Sequence, residues 1–203
     1  MKKSKLAKVL TVSLAALMVF GLASCGGGSG KVSDKDITVI SREEGSGTRD
    51  AFTELTGVLQ DDVDKTVDTA EISNSTSVVT QSVAGNDAAI GYISLGSLDD
   101  TVKAVKVDGV EATVDNIKSG DYKIQRPFNI VTKGEVKELP ADFIKFIMSK
   151  DGQKIIEDEG YISVNENAEA YKASGLKGSI TLAGSTSVSP VMEVLADKYK
   201  ELN

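Results

Sequence analysis

The sequence predicts an α/β fold with parallel neighbouring strands, and three observations carry that prediction. From Asp36 onward, short β-branched apolar runs alternate with segments of helical periodicity. Glycine- and serine-rich breaks separate each run from the helix that follows it. Apolar burial must come from Val, Ile, Leu and Ala, because tryptophan is absent and aromatic residues make up only 5% of the chain.

Residues 37–40 (ITVI) read as a buried strand. Gly45-Ser46-Gly47 breaks it, and a helix follows with Ala51, Phe52, Leu55 and Val58 on one face. The acidic stretch 60–70 is expected to be a solvated loop; it lacks the spacing and closing glutamate of a calcium-binding EF-hand. Asn74-Ser75 supplies a helix N-cap ahead of Val78, Val79 and Val83. A strand is expected over 88–93, and a hairpin over 102–113 with Asp108-Gly109 as its turn. One helical turn over 114–118 stops at Gly120, and residues 127–132 (PFNIVT) read as another strand. Two helices are expected next, one over 141–148 and one from about Asp151 to Gly160, then a helix over 166–173. A strand over 178–183 and an amphipathic helix from Pro190 close the pattern. An α/β unit does not usually end inside such a helix, so the gene product is expected to continue past Asn203.

The first thirty residues have a different character. Four lysines precede an apolar run over 9–23, too short for a comfortable membrane span, and the run ends in Leu22-Ala23-Ser24-Cys25. That order is a bacterial lipoprotein signal, so residues 1–24 are expected to be cleaved and Cys25 acylated. Residues 25–35 then form the lipidated cysteine and a flexible glycine-serine tether. The expected location is the outer face of a bacterial cell membrane.

Composition excludes several functions. Without residues 1–24 the chain has 19 Lys and Arg against 30 Asp and Glu, a net charge of −11, which argues against nucleic acid. A small anion must then be held by local dipoles. Histidine is absent and Cys25 is the sole cysteine, so imidazole-based catalysis, thiolate metal sites and a disulfide framework are all excluded. No enzyme, metal or cofactor is expected.

Two segments share one design of strand, hydroxyl-rich loop and helix: residues 37–52 (ITVISREEGSGTRDAF) and 179–193 (SITLAGSTSVSPVME). Such loops place free backbone N–H groups and hydroxyls at a helix N-terminus, where the macrodipole favours an anion. Ser46, Thr48, Thr186 and Ser187 are the hydroxyl donors, and Gly45 and Gly47 allow close backbone approach. Arg42 and Arg49 flank the first loop as candidate fixed charges. Either loop alone could be a simple capped helix; the pair, with a neighbouring arginine, favours anion binding. Ser75-Thr76-Ser77-Val78 repeats Ser185-Thr186-Ser187-Val188, which marks either a third ligand-facing helix start or, the expected case, an ordinary cap.

The segments SREEGSGTRDAF, GNDAAIGYIS, RPFNIVTKGE, DFIKFIMSKDGQKIIEDEGYI and AGSTSVSP together resemble the phosphate-binding receptor of bacterial phosphate ABC importers. The resemblance implies a type II periplasmic-binding-protein fold of two hinged lobes, with 36–125 as the first lobe and 126–203 as the crossover and a partial second lobe. It implies that Arg42, Ser46, Gly47 and Thr48 hold phosphate from one lobe, that Thr186 and Ser187 hold it from the other, and that Glu44 orients Arg42. Inorganic phosphate and ABC permease subunits are the implied partners. The segment order is rotated relative to the usual receptor, and the aspartate that by this resemblance accepts a hydrogen bond from protonated phosphate falls in a stretch this chain lacks. Three alternatives follow: a receptor for sulfate, a receptor for molybdate, and a vestigial lobe serving as an adhesin or signalling lipoprotein.

Overall fold

The computed structural model describes residues 36–203. The predicted signal peptide, Cys25 and the tether lie outside the described residues. A three-stranded parallel sheet organises the first half. Its central strand is β1 (Thr38–Arg42), followed by helix α1 (Gly47–Thr56). A two-residue-strand hairpin, β2 (Leu59–Gln60) and β3 (Val63–Asp64), precedes β4 (Glu71–Ser73), helix α2 (Thr76–Ala84) and β5 (Ala89–Ile90). The strand order is β4-β1-β5, with Arg42 opposite Ser73 and Val39 opposite Ile90.

Ile40, Ser41 and Arg42 are buried in succession, as expected of a central parallel strand covered on both faces. Ile40 and Val79 of α2 anchor this half. Phe52 of α1 stacks on Tyr92, two residues past β5, with ring centroids 4.2 Å apart and planes 8° from parallel. Gly57 ends α1 in the left-handed conformation (φ 72°).

The second half is helical. After the short helix α3 (Val114–Lys118) come α4 (Glu138–Ile147), α5 (Lys150–Asp158) and α6 (Ser189–Leu202). Phe143, Phe146 and Ile147 of α4 meet Val191, Leu195 and Tyr199 of α6 and Tyr161 in one core. The α6 residues are spaced four apart and share one face. The close approach of α4 and α5 depends on Gly152, because a Cβ there would lie 2.2 Å from the Phe146 carbonyl oxygen. Asp142 ties the layers together by accepting hydrogen bonds from Tyr199 (2.7 Å), Ser174 (2.7 Å) and Tyr171 (2.5 Å). Burial raises the Asp142 pKa, but those three donors outweigh it and hold the carboxyl below its ordinary value.

Several expectations are corrected. The acidic stretch 60–70 is not a plain loop: Asp61 and Asp62 take positive φ (50° and 61°) and turn the β2-β3 hairpin. Strand β4 was missed. The hairpin over 102–113 is reduced to one bridge between Val107 and Val110 around the Asp108-Gly109 turn, both residues at positive φ. Residues 127–132 and 178–183 are not strands, since no strand of the described residues supplies either with a ladder partner; Ile130 and Val131 are exposed. Residues 166–173 are not helical either. Their backbone serves the start of α5 instead: the Glu169 carbonyl accepts from the Lys150 amide (2.8 Å), and the Tyr171 amide donates to Asp151 (2.7 Å).

Candidate anion-binding site

Ligands of parallel α/β sheets gather beyond the carboxyl ends of the strands. Arg42 is the last residue of β1 and Ser73 the last of β4, so both sit at that end. The Arg42 guanidinium, 1% exposed, points into a cluster of hydroxyls. Its Nη1 donates to Thr76 Oγ1 (3.1 Å), its Nη2 to Thr186 Oγ1 (3.1 Å), and its Nε to the Ser73 carbonyl (3.2 Å). Thr76 Oγ1 also lies 3.1 Å from Thr186 Oγ1 and 3.2 Å from Ser187 Oγ. Ser187 Oγ in turn meets Thr48 Oγ1 at 2.8 Å.

These hydroxyls come from three helix starts. Thr48 is the second residue of α1, Thr76 the first of α2, and Thr186 and Ser187 lie just ahead of Val188, the N-cap of α6. Each dipole presents its positive end, and the first turns of α1 and α2 carry N–H groups without an intrahelical partner. At α6 the Ser187, Val188 and Ser189 amides turn back onto Ser185 and Pro190 has none, so that start contributes hydroxyls. Gly45 adopts φ 79° to turn the chain into α1. Ser46 is its N-cap, its Oγ accepting from the Arg49 amide at a long 3.5 Å. The Ser187 carbonyl is held from behind by the buried Tyr161 hydroxyl at 2.7 Å. Thr186 is exposed, so the cluster reaches solvent on that side.

The orienting acid is Glu43, not Glu44. Glu43 grips Arg42 through both carboxylate oxygens (2.8 and 3.0 Å), while Glu44 is exposed and makes no bond to Arg42. The change follows from the backbone: β1 ends at Arg42, and the Glu43 amide donates to the Ser73 carbonyl (3.1 Å), which swings its side chain back beside Arg42. Hydrogen bonding to the guanidinium holds the Glu43 carboxyl below its ordinary range.

Arg49 does not face the cluster. It pairs with Asp64 of β3 (2.7 Å) and donates to the Arg42 carbonyl (3.0 Å), so it braces the end of β1. Hydrogen bonds from Thr66, then the contact with Arg49, lower the Asp64 pKa to about 2. Gly47 sits under the guanidinium of Arg126, which donates to the Gly47 carbonyl. Two residues of this assembly were underweighted in the sequence. Thr76 carried a signal, its repeated Ser-Thr-Ser-Val, and the ordinary side-chain cap by Ser75 does not form. Arg126 carried none. Tyr92 completes the frame, its hydroxyl accepting from the Arg42 amide (3.0 Å) and bonding Ser41 (2.8 Å). Among the described residues no group of three or more acidic, histidine or cysteine side chains is placed to hold a metal. The arrangement offers one guanidinium, several hydroxyls and helix-terminal amides, which suits a compact oxyanion.

A family model described as a PBP superfamily domain matches residues 28–151. The chain is 50% identical over 210 residues to phosphate-binding protein PstS 2 of Streptococcus agalactiae serotype V, covering 100% of this chain and 71% of that protein. One alignment therefore runs through the whole length of this chain. The structure resembles a phosphate-binding protein of a phosphate ABC transporter from Streptococcus pneumoniae TIGR4 (TM-score 0.70, 50% identity, 83% of this chain and 67% of that one). It also resembles a putative phosphate ABC transporter substrate-binding protein from Clostridium perfringens, solved with bound phosphate (TM-score 0.59, 46% identity, 64% and 52% of the two chains). The chain belongs to the phosphate-binding receptor family of phosphate ABC transporters, within the PBP superfamily.

Proposed function

We propose that this chain is a non-enzymatic receptor that binds inorganic phosphate outside the membrane and delivers it to an ABC permease. The observation that carries the reading is the convergence of three helix starts and a buried arginine on one set of hydroxyls at the carboxyl end of the sheet. In this reading Arg42, Ser46, Gly47 and Thr48 hold the anion from one side, and Thr186 and Ser187 hold it from the other. Thr76 joins them. The two sides correspond to a first lobe over 36–125 and a second over 126–203, and acylated Cys25 anchors the receptor to the membrane. The names of the relatives, and the phosphate in one of their structures, support the same ligand.

One feature favours a second reading. Glu43, the carboxylate at the cluster, is committed to Arg42 through both oxygens. Proton-bearing phosphate must then be recognised by hydroxyls, which both donate and accept. Sulfate, which carries no proton near neutrality, is not penalised by a free carboxylate in this set. Thermal unfolding with phosphate and with sulfate separates the readings. Phosphate at a hundred times its dissociation constant stabilises by about 2.7 kcal/mol, a rise of roughly 5–11 °C for a chain of this size. A rise with phosphate alone supports the first reading, an equal rise with sulfate the second, and no rise with either sinks both.

A further inference from the structure

We infer that Arg126 is a second arginine of the anion site, an uncompensated cation that captures the ligand over the Ser46-Gly47-Thr48 loop and favours its more highly charged form. The inference rests on the oxyanion reading above. Its first support is position. The Arg126 guanidinium donates to the Gly47 carbonyl in the middle of that loop, between the N-cap Ser46 and the cluster residue Thr48. A Cβ on Gly47 would lie 2.9 Å from Arg126 Nη2 and 3.8 Å from its Nη1 and Cζ. Glycine at 47 is thus what lets a flat guanidinium rest on the loop, and any side chain there displaces it.

The second support is charge. Arg42 is neutralised by Glu43 and Arg49 by Asp64, so neither adds a net positive charge to the loop. Arg126 forms no ion pair among the described residues. The chain as a whole is acidic, with a formal net charge of −7 before any processing, and its field repels an approaching anion. A dianion reaching Arg42 and Glu43 meets balanced charges and helix dipoles; Arg126, on the Gly47 carbonyl of the same loop, brings a full positive charge. A guanidinium has five N–H donors, so those not given to Gly47 are available to a ligand oxygen. Arg126 is exposed, and exposed charges at a binding rim act chiefly on association rate and salt dependence.

The test is phosphate calorimetry on the full 203-residue chain, comparing wild type, R126A and R126K. Each is titrated at low and high ionic strength and on both sides of neutrality. R126A is expected to weaken phosphate roughly tenfold at low salt. It should flatten the salt dependence and shrink the preference for the alkaline side, where the dianion predominates. R126K should restore the salt dependence but not the full affinity, because a point charge lacks the planar fork. A purely structural Arg126 would lower the melting temperature and leave the salt and pH dependence of binding as in wild type. That result, or an R126A affinity equal to wild type, overturns the inference while leaving the receptor reading intact. Absence of phosphate heat from the wild-type chain itself removes both together.

Discussion

Replacing Thr76 with valine probes the hub of the cluster at nearly constant volume. Its Oγ1 accepts from Arg42 Nη1 and touches both Thr186 and Ser187. Valine removes that oxygen but keeps the branched shape at the first position of α2. The Arg42 guanidinium is 1% exposed, so water cannot replace the lost acceptor. A hydrogen bond to a charged group contributes about 1.5–3 kcal/mol, and an unpaired buried donor costs a similar amount. With about 2 kcal/mol lost, a chain of this size melts roughly 4–8 °C lower. Serine at the same position retains the hydroxyl and should recover most of the loss. The assay is thermal unfolding by circular dichroism of wild type, T76V and T76S. If T76V melts within about 1–2 °C of wild type, the range of a surface substitution, Thr76 does not support Arg42 as argued.

Two further outcomes follow from packing and charge. Gly152→Ala places a methyl group 2.2 Å from the Phe146 carbonyl and 2.6 Å from that of Ile147, both backbone atoms that cannot rotate away. The α4-α5 crossing must open, at about 1–3 kcal/mol, read as a lower denaturant midpoint with an unchanged slope. Asp64 has a folded pKa depressed from 3.8 to about 2. Its contribution to stability is therefore complete above its unfolded pKa and is lost as pH falls from about 3.8 towards 2. D64N should flatten that acid limb of the stability curve; an identical limb in the variant would show that Asp64 does not contribute to it.

What the sequence revealed was mostly local. The β1-α1 and α6 loops were legible because Gly, Ser and Thr at a strand-to-helix turn have a direct physical meaning, and the amphipathic helices at α4 and α5 followed from apolar spacing. Failures came where structure depends on a distant partner. Strand β4 is three residues long (EIS), and only pairing with β1 makes it a strand. Residues 127–132 and 178–183 have strand composition but no ladder partner among the described residues, and a strand without a ladder is an extended segment. The same distinction holds in the site. Arg42, Thr48, Thr186 and Ser187 could be named from the loops, whereas Thr76 was expected as an ordinary cap, and the roles of Glu43, Arg49 and Arg126 depend on Ser73, Asp64 and Gly47, partners that only the folded chain brings close.

The central claim is that helix starts far apart in sequence, at Thr48 and at Ser187, hold one anion together. Phosphate calorimetry on wild type, T48V, S187A and the double variant addresses it directly. The two hydroxyls lie 2.8 Å apart, so each is expected to belong to the same ligand shell. Each single variant should weaken phosphate by roughly tenfold, about 1.4 kcal/mol, and the double variant should lose less than the sum because the two act as a coupled pair. If either single variant binds phosphate as tightly as wild type, that segment is not part of the site and the account of two converging loops is wrong.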